Sequence, residues 1–274
     1  MGGLGNQLFQ ICATISYAIQ YNQSFKFLNV SSLGGVSCTQ RPTYWTTMLK
    51  RFQVFLTPSI QAAYTIREQS FAYKQLPPHM GGYDATLIGY FQSYKYFQNH
   101  YDTICKLIQV DVLQQRLLSK LRWTPESMVN TVSMHFRIGD YKAIQDCHPI
   151  LPYLYYEKAL THLQTIYPTI PFTVLYFCEQ VDIQDVERIL RKLQEQFPTY
   201  IFARGDHSLA DWEQLLLMST CRHNIIANSS FSWWAEYFNQ WPDKTVCYPS
   251  VWFGPKLASH DTRDLCPPEW QRIH

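Results

Sequence analysis

The sequence predicts an α/β protein whose second half forms a parallel, Rossmann-like sheet. Two observations carry this. From about residue 131 onward, short apolar runs alternate with longer helical patterns, the order expected of repeated β-α units. Three polar motifs, His135/Arg137, Cys178–Glu179 and Asn228–Ser230, also fall where apolar runs end. Ligand-contacting residues gather at the carboxyl ends of parallel strands in the same way.

The elements follow in chain order. An apolar stripe of Leu8, Cys12, Ile15 and Ile19 predicts a helix over about 6–21. A strand at 25–31, an irregular middle rich in Tyr, Thr and Pro, a strand at 86–91 and a helix at 100–121 complete the first half. The pattern breaks near 123–131. Strands are then predicted near 131–137, 172–178, 199–203, 223–227 and 244–248, with helices near 152–166, 183–196, 209–219 and 230–240. This sets a first domain at 1–125, a second at 126–256, and a tail, 257–274, expected to pack back on the first.

Composition bounds the function classes. With 274 residues the chain is long enough for two α/β domains. Hydrophobic content of 46% and charged content of 16% describe a globular protein light in charge. A net charge of +2 without a dense Lys/Arg run argues against a nucleic-acid partner. Aromatic content of 16% suits stacking on sugars, although most such rings pack in cores. The eight cysteines (12, 38, 105, 147, 178, 221, 247, 266) are scattered, with no Cys-x-x-Cys pair for zinc. Several sit in apolar patterns, which favours a reducing compartment. The start is not a signal peptide, and no apolar run would span a bilayer. The expectation is a cytoplasmic protein, with peripheral membrane association left open.

The most informative stretch is Ser133-Met134-His135-Phe136-Arg137-Ile138-Gly139-Asp140-Tyr141. Met134 and Phe136 alternate with His135 and Arg137, so the apolar pair can face a core while the polar pair faces away. An Arg fork seeks a carboxylate or a phosphate, so a structural ion pair with Asp140 competes with a ligand site. Downstream, Ile225–Ala227 runs into Asn228, Ser229 and Ser230, good helix N-caps, and then Phe231-Ser232-Trp233-Trp234-Ala235-Glu236. A helix start with hydroxyls beside it can hold an anion. At the N-terminus, Gly2, Gly3 and Gly5 lead into a helix, where glycine lets backbone approach a ligand. No Gly-Lys-Ser/Thr follows, so this is not a nucleotide-triphosphate P-loop.

HFRIGDY resembles the His-x-Arg-Arg-Gly-Asp-Tyr motif of inverting α-1,2-fucosyltransferases. GGLGNQLFQ, GYFQSYKYF (89–97), NSSFSWWAE and the tail (Trp252-Phe253, then Pro268 to Ile273) resemble other landmarks of that family, in the same order across nearly the whole chain. The resemblance implies a GT-B-like fold, two Rossmann-like halves facing a cleft. It implies transfer of L-fucose from GDP-fucose to the 2-hydroxyl of a terminal galactose, with inversion and without a metal or other cofactor. Negative charge grows on the β-phosphate as GDP leaves, and many transferases meet it with a metal held by Asp-x-Asp. No Asp-x-Asp occurs here, so fixed cations and dipoles must do that work. By resemblance, Arg137 would clamp the β-phosphate, and Ser229, Ser230 and Phe231 would hold the diphosphate. His135 would sit against the nucleoside, and Glu179 would read guanine through its N1 and N2 protons. Gly3, Gly5 and Asn6 would line the acceptor side, with Asn6 orienting the acceptor. Asp140 is the first candidate for a general base, although orienting Arg137 is as good a role; Asp146, Glu157 and Asp84 are others.

The chain departs from the family pattern at three places. Ile138 stands where a second Arg is typical, which predicts weaker donor binding by roughly 1.5–3 kcal/mol for the lost charge-assisted bond. Phe177-Cys178-Glu179-Gln180 replaces a Phe-Ser-Asp-Asp pattern. Met1 abuts Gly2 where relatives carry a short strand, so the expectation is either an earlier start or a first domain without that strand. Rival readings are a nucleotide-sugar or glycan-binding protein without turnover and a transferase using another GDP-sugar. Donor hydrolysis separates the first from an enzyme.

Overall fold

The computed structural model describes residues 2–34 and 40–274. Met1 and Cys38, on which two of the sequence readings fall, lie outside them. The chain divides into two compact units, Met1–Val112 with His260–Pro267, and Leu113–Ser259 with Pro268–His274. The tail from 257 onward is thus shared between the two units.

The first unit opens on α1 (Leu4–Gln20). Leu8, Cys12 and Ile15 are buried as the stripe predicts while Ile19 is only partly so, and Leu4, Gln7 and Ser16 are buried as well, so the helix is covered on most of its circumference. Its strands are short: β1 (Phe27–Leu28), β2 (Ser32–Leu33), β3 (Arg41–Pro42), β4 (Leu56–Thr57), β5 (Tyr64–Arg67) and β6 (Ala85–Ile88). They pair only as β1 with β4 and β5 with β6, both parallel, and β2 with β3, antiparallel. The expected Rossmann-like sheet is therefore not present among the described residues of this unit. The single helix predicted over 100–121 is two, α2 (Tyr101–Ile108) and α3 (Val110–Leu121). Gln109 breaks it by entering the left-handed region at φ 64°, where its N–H still reaches Cys105 O at 2.8 Å.

The second unit carries β7 (Thr131–His135), α4 (Tyr153–Ile166), β8 (Thr173–Phe177), α5 (Ile183–Gln196), β9 (Ile201–Arg204), α6 (Asp211–Thr220), β10 (His223–Ile225), α7 (Ser230–Tyr237), β11 (Val246–Pro249) and β12 (Gln271–Ile273). These elements lie where the alternation predicts, except β12, which the sequence reading left in the tail. The six strands form one sheet in the order β12-β11-β10-β7-β8-β9, parallel throughout. That is the order of a doubly wound sheet, and β7 and β10 flank its topological switch point, outside whose carboxyl ends ligands bind in such sheets.

Packing fixes which face each side chain takes. Val132, Met134 and Phe136 join a buried cluster with Tyr155, Tyr156 and Leu160 of α4 and with Val186, Leu190 and Leu193 of α5. The residues between them point to the opposite face. There Ser133 Oγ accepts from Asn224 Nδ2 at 2.7 Å, and Asn224 Nδ2 also reaches Met218 O of α6 at 3.0 Å. Asn239 Nδ2 donates to Asn224 Oδ1 at 2.7 Å. A buried network satisfied in this way fixes the register of β7 on β10. The seven described cysteines are free thiols. No helix among the described residues is long and apolar enough to cross a membrane.

Candidate active site

At the carboxyl end of β7 the chain leaves the sheet and turns through a short 3-10 segment, Gly139–Ala143. His135, on the face opposite Met134 and Phe136, is buried, and its ring centroid lies 5.5 Å from that of Phe231 in the first turn of α7. The ends of β7 and β10 are thereby joined at the switch point. Its Nδ1 is buried without a hydrogen-bond partner. Burial first, and then the Arg137 charge, push the imidazole down to about 3, so it is neutral at working pH.

Arg137 bridges two carboxylates. Its Nη1 donates to Glu179 Oε1 and its Nη2 to Asp140 Oδ2, each at 2.7 Å. The guanidinium carbon also lies 5.3 Å from the Tyr141 ring centroid. The arginine side chain is 20% exposed, whereas Asp140 and Glu179 are 44% and 47% exposed, so both acids can exchange their bond to Arg137 for water. The structural ion pair weighed against a ligand site is thus present, and Asp140 orients Arg137. Of the other base candidates, Asp146 pairs with Lys256 at 3.3 Å, Glu157 lies on α4, and Asp84 lies in the first unit.

The turn carrying these groups is held from below by Asp182, whose side chain is fully buried. Its Oδ2 accepts the Gly139 N–H at 2.7 Å, and its Oδ1 lies 3.1 Å from Lys142 Nζ. A Cβ on Gly139 would stand 2.7 Å from Glu179 Oε2 and 3.2 Å from Asp182 Oδ2, so a side chain there would make the exposed Glu179 carboxylate move aside. Sequence reasoning passed over Asp182; its signal was an acid at a helix start, which reads as an ordinary cap. Ile138 is buried in the same cluster as Met134 and Phe136. The position at which a second Arg was expected therefore faces the core, and what Ile138 supplies there is packing.

On the β10 side, Ser229 caps α7 by accepting the Phe231 N–H at 3.3 Å, and its own N–H donates to Ala227 O at 2.8 Å. The N–H groups of Ser229 and Phe231 are therefore engaged within the turn. Ser230 is the first residue of the helix. Asn228 acts as a tie, donating through Nδ2 to Pro149 O at 2.9 Å and to Trp252 O at 3.2 Å. Tyr141 Oη donates to Asn228 O at 2.9 Å, and burial pushes its phenol up to about 12.

The remaining predicted residues lie in the first unit. Gly3 is the extended N-cap of α1, Gly5 is buried in its first turn, and Asn6 Oδ1 accepts from Gln92 Nε2 at 2.8 Å. Gly2, at φ 82°, has the Asn6 side chain pressed against it, so that a Cβ there would meet Asn6 Nδ2 at 2.4 Å.

Residues 37–273 match the sequence profile of glycosyl transferase family 11. The chain belongs to that family. Two relatives from Escherichia coli span nearly all of it. The O-antigen biosynthesis glycosyltransferase WbnK is 27% identical over 304 residues, covering 96% of each chain. An alpha-1,2-colitosyltransferase is 25% identical over 294 residues, covering 99% of this chain and 96% of its own. Among solved structures, the E. coli ADP-heptose lipopolysaccharide heptosyltransferase II aligns at TM-score 0.38 and 12% identity, over 59% of this chain and 42% of that one. A glycosyl transferase family 9 protein from Veillonella parvula DSM 2008 aligns at TM-score 0.31 and 15% identity, over 55% and 39%. As a family 11 glycosyltransferase, the chain acts on a nucleotide-sugar donor and a glycan acceptor.

Proposed function

We propose that this glycosyltransferase moves L-fucose from GDP-fucose to the 2-hydroxyl of a terminal galactose, inverting the anomeric centre without a metal. The observation that carries the reading is the joining of Arg137, Glu179 and the β10–α7 turn at one switch point, on a chain that carries HFRIGDY and lacks Asp-x-Asp. In a GT-B-like division of labour the second unit binds the donor and the first the acceptor.

The ion pair suggests how donor binding arms the site. Arg137 carries one positive charge against the two negative charges of Asp140 and Glu179, so a diphosphate is repelled while both acids stay on the guanidinium. Glu179 is half-exposed and can turn to accept the guanine N1 and N2 protons. That move frees Arg137 Nη1 for the β-phosphate, where negative charge develops as GDP leaves. Asp140 stays on Nη2 and holds the fork. His135, neutral and packed on Phe231, supports the nucleoside side of the turn, and Ser230 with the start of α7 faces the diphosphate.

The test is product analysis. Incubation with GDP-fucose and lactose is expected to yield an α-1,2-linked fucosyl product, identified by NMR. A second reading comes from the relative named as an alpha-1,2-colitosyltransferase. If a colitosyl donor is used and GDP-fucose is not, the donor assignment fails while the transferase class stands.

A further inference from the structure

We propose that the turn following β6, Gly89 to Ser93, is a built carbohydrate subsite in which Tyr90 offers its ring to a pyranose face and Gln92 reads the sugar hydroxyls. The inference deepens the proposed function and rests on it for the occupant, the galactose end of the acceptor.

The turn is held far more firmly than a connection requires. Glu68, just after β5, accepts the Tyr90 N–H through Oε2 at 2.7 Å and the Phe91 N–H through Oε1 at 3.0 Å. Its own N–H donates to Ile88 O at 2.9 Å, which fixes the acid beside the end of β6. The approach is so close that a Cβ on Gly89 would lie 2.4 Å from Glu68 Cβ. Phe91 then adopts the left-handed region at φ 53°, which is strained for a bulky residue and costs on the order of 1–3 kcal/mol. Full burial of its ring, edge-on to Tyr96 at 5.3 Å, offsets that strain. Beyond it, Ser93 N–H donates to Phe91 O at 2.8 Å, and Ser93 Oγ donates to Asp264 O at 2.6 Å.

Clamping on both sides dictates how the intervening side chains are presented. Tyr90 stands outward, 40% exposed, on a backbone whose N–H is held by Glu68. Gln92 is held through Nε2 on Asn6 Oδ1, which also fixes the direction of its Oε1 as an acceptor. An aromatic ring two residues along from a planar amide that is held in place supplies the two groups a sugar needs, an apolar surface for its C–H face and a hydrogen-bonding group for its hydroxyls. Glycine at 91 would connect the same elements without strain. The strained phenylalanine is the mark of a turn held in one shape for a ligand.

Lactose binding followed by saturation-transfer NMR, without donor, tests this on the full chain. Tyr90→Ala and Gln92→Ala are each expected to weaken lactose binding by about tenfold or more, ~1.4 kcal/mol, and Tyr90→Phe to restore it. Tyr83→Ala removes an exposed ring outside the turn and is expected to leave binding unchanged. With GDP-fucose, the same two alanine variants should raise the acceptor KM. Wild-type lactose affinity in both folded variants, or no lactose binding by the wild type, overturns the subsite. Lactose binding that depends on Tyr90 without any transfer from GDP-fucose leaves the subsite standing and overturns the donor assignment.

Discussion

Tyr141 ties the two halves of the switch point together: its hydroxyl donates to the main-chain oxygen of Asn228 at 2.9 Å while its ring lies under the Arg137 guanidinium. His148 stacks on that ring as well, with centroids 4.9 Å apart and planes 24° from parallel. The turn after β7 and the start of α7 are therefore one mechanical unit, and the direction of the Arg137 fork depends on a residue that need not touch substrate.

Replacing Tyr141 separates the two contacts. Tyr141→Phe should cost about 1 kcal/mol of stability for the lost buried bond and leaves Asn228 O unpaired. Tyr141→Leu also removes the support under Arg137, and should lower kcat further without a matching rise in acceptor KM. Steady-state kinetics with thermal melts on both variants would show this; equal kcat for Phe and Leu would deny the ring a positioning role.

Glu179→Gln keeps the shape but surrenders the carboxylate. If Glu179 reads guanine, preference for GDP over ADP should fall by about tenfold or more, the worth of a charge-assisted bond. Calorimetric titration of the two nucleotides measures it. Unchanged preference would leave Glu179 as a structural partner of Arg137 only.

Ile138→Arg asks what the missing second arginine means. Were position 138 a donor contact, the change would tighten GDP binding. Because Ile138 packs in the core beside Met134 and Phe136, a guanidinium there must be buried or must push the turn out. The expected result is a loss of roughly 3 kcal/mol or more of stability, read by chemical denaturation, with no gain in GDP affinity.

His135 sets a pH dependence. Its folded pKa, about 3, is below the unfolded value near 6.5, so the unfolded chain binds a proton that the buried ring refuses. The stability it contributes is complete above about pH 6.5 and is lost as pH falls toward 3. His223, lowered to about 4 by burial and then by Arg222, acts with the same sign. His135→Gln should therefore flatten part of the acid slope in melts between about pH 4 and 7; an unchanged slope would contradict the burial argument.

Much of the second unit was legible because apolar runs such as those of β7 and β8 are bounded by polar turns, and α5, between β8 and β9, carries a clear stripe of Val186, Leu190 and Leu193. That Met134 and Phe136 take one face of β7 and His135 and Arg137 the other followed from the two-residue period of a strand. The break at Gln109 was not legible, since a glutamine in the left-handed region leaves no mark in a helical pattern. Nor was β12, whose pairing with β11 is decided by distant packing. The first unit resisted reading because its strands are two to four residues long, too short to show a period. In the site, Arg137 and Glu179 stood out as charges at strand ends. Asp182 and Glu68 did not, because their work is to hold backbone N–H groups that only the folded chain brings near.

The most direct test of the central claim is GDP release from GDP-fucose, with and without lactose, in EDTA, for wild type and Arg137→Ala. Acceptor-stimulated release that resists EDTA and falls on the order of 10²–10³-fold in the variant is the result expected of a phosphate clamp. Release that is abolished by EDTA, or that survives the loss of Arg137, would contradict metal-free transfer with Arg137 on the leaving phosphate.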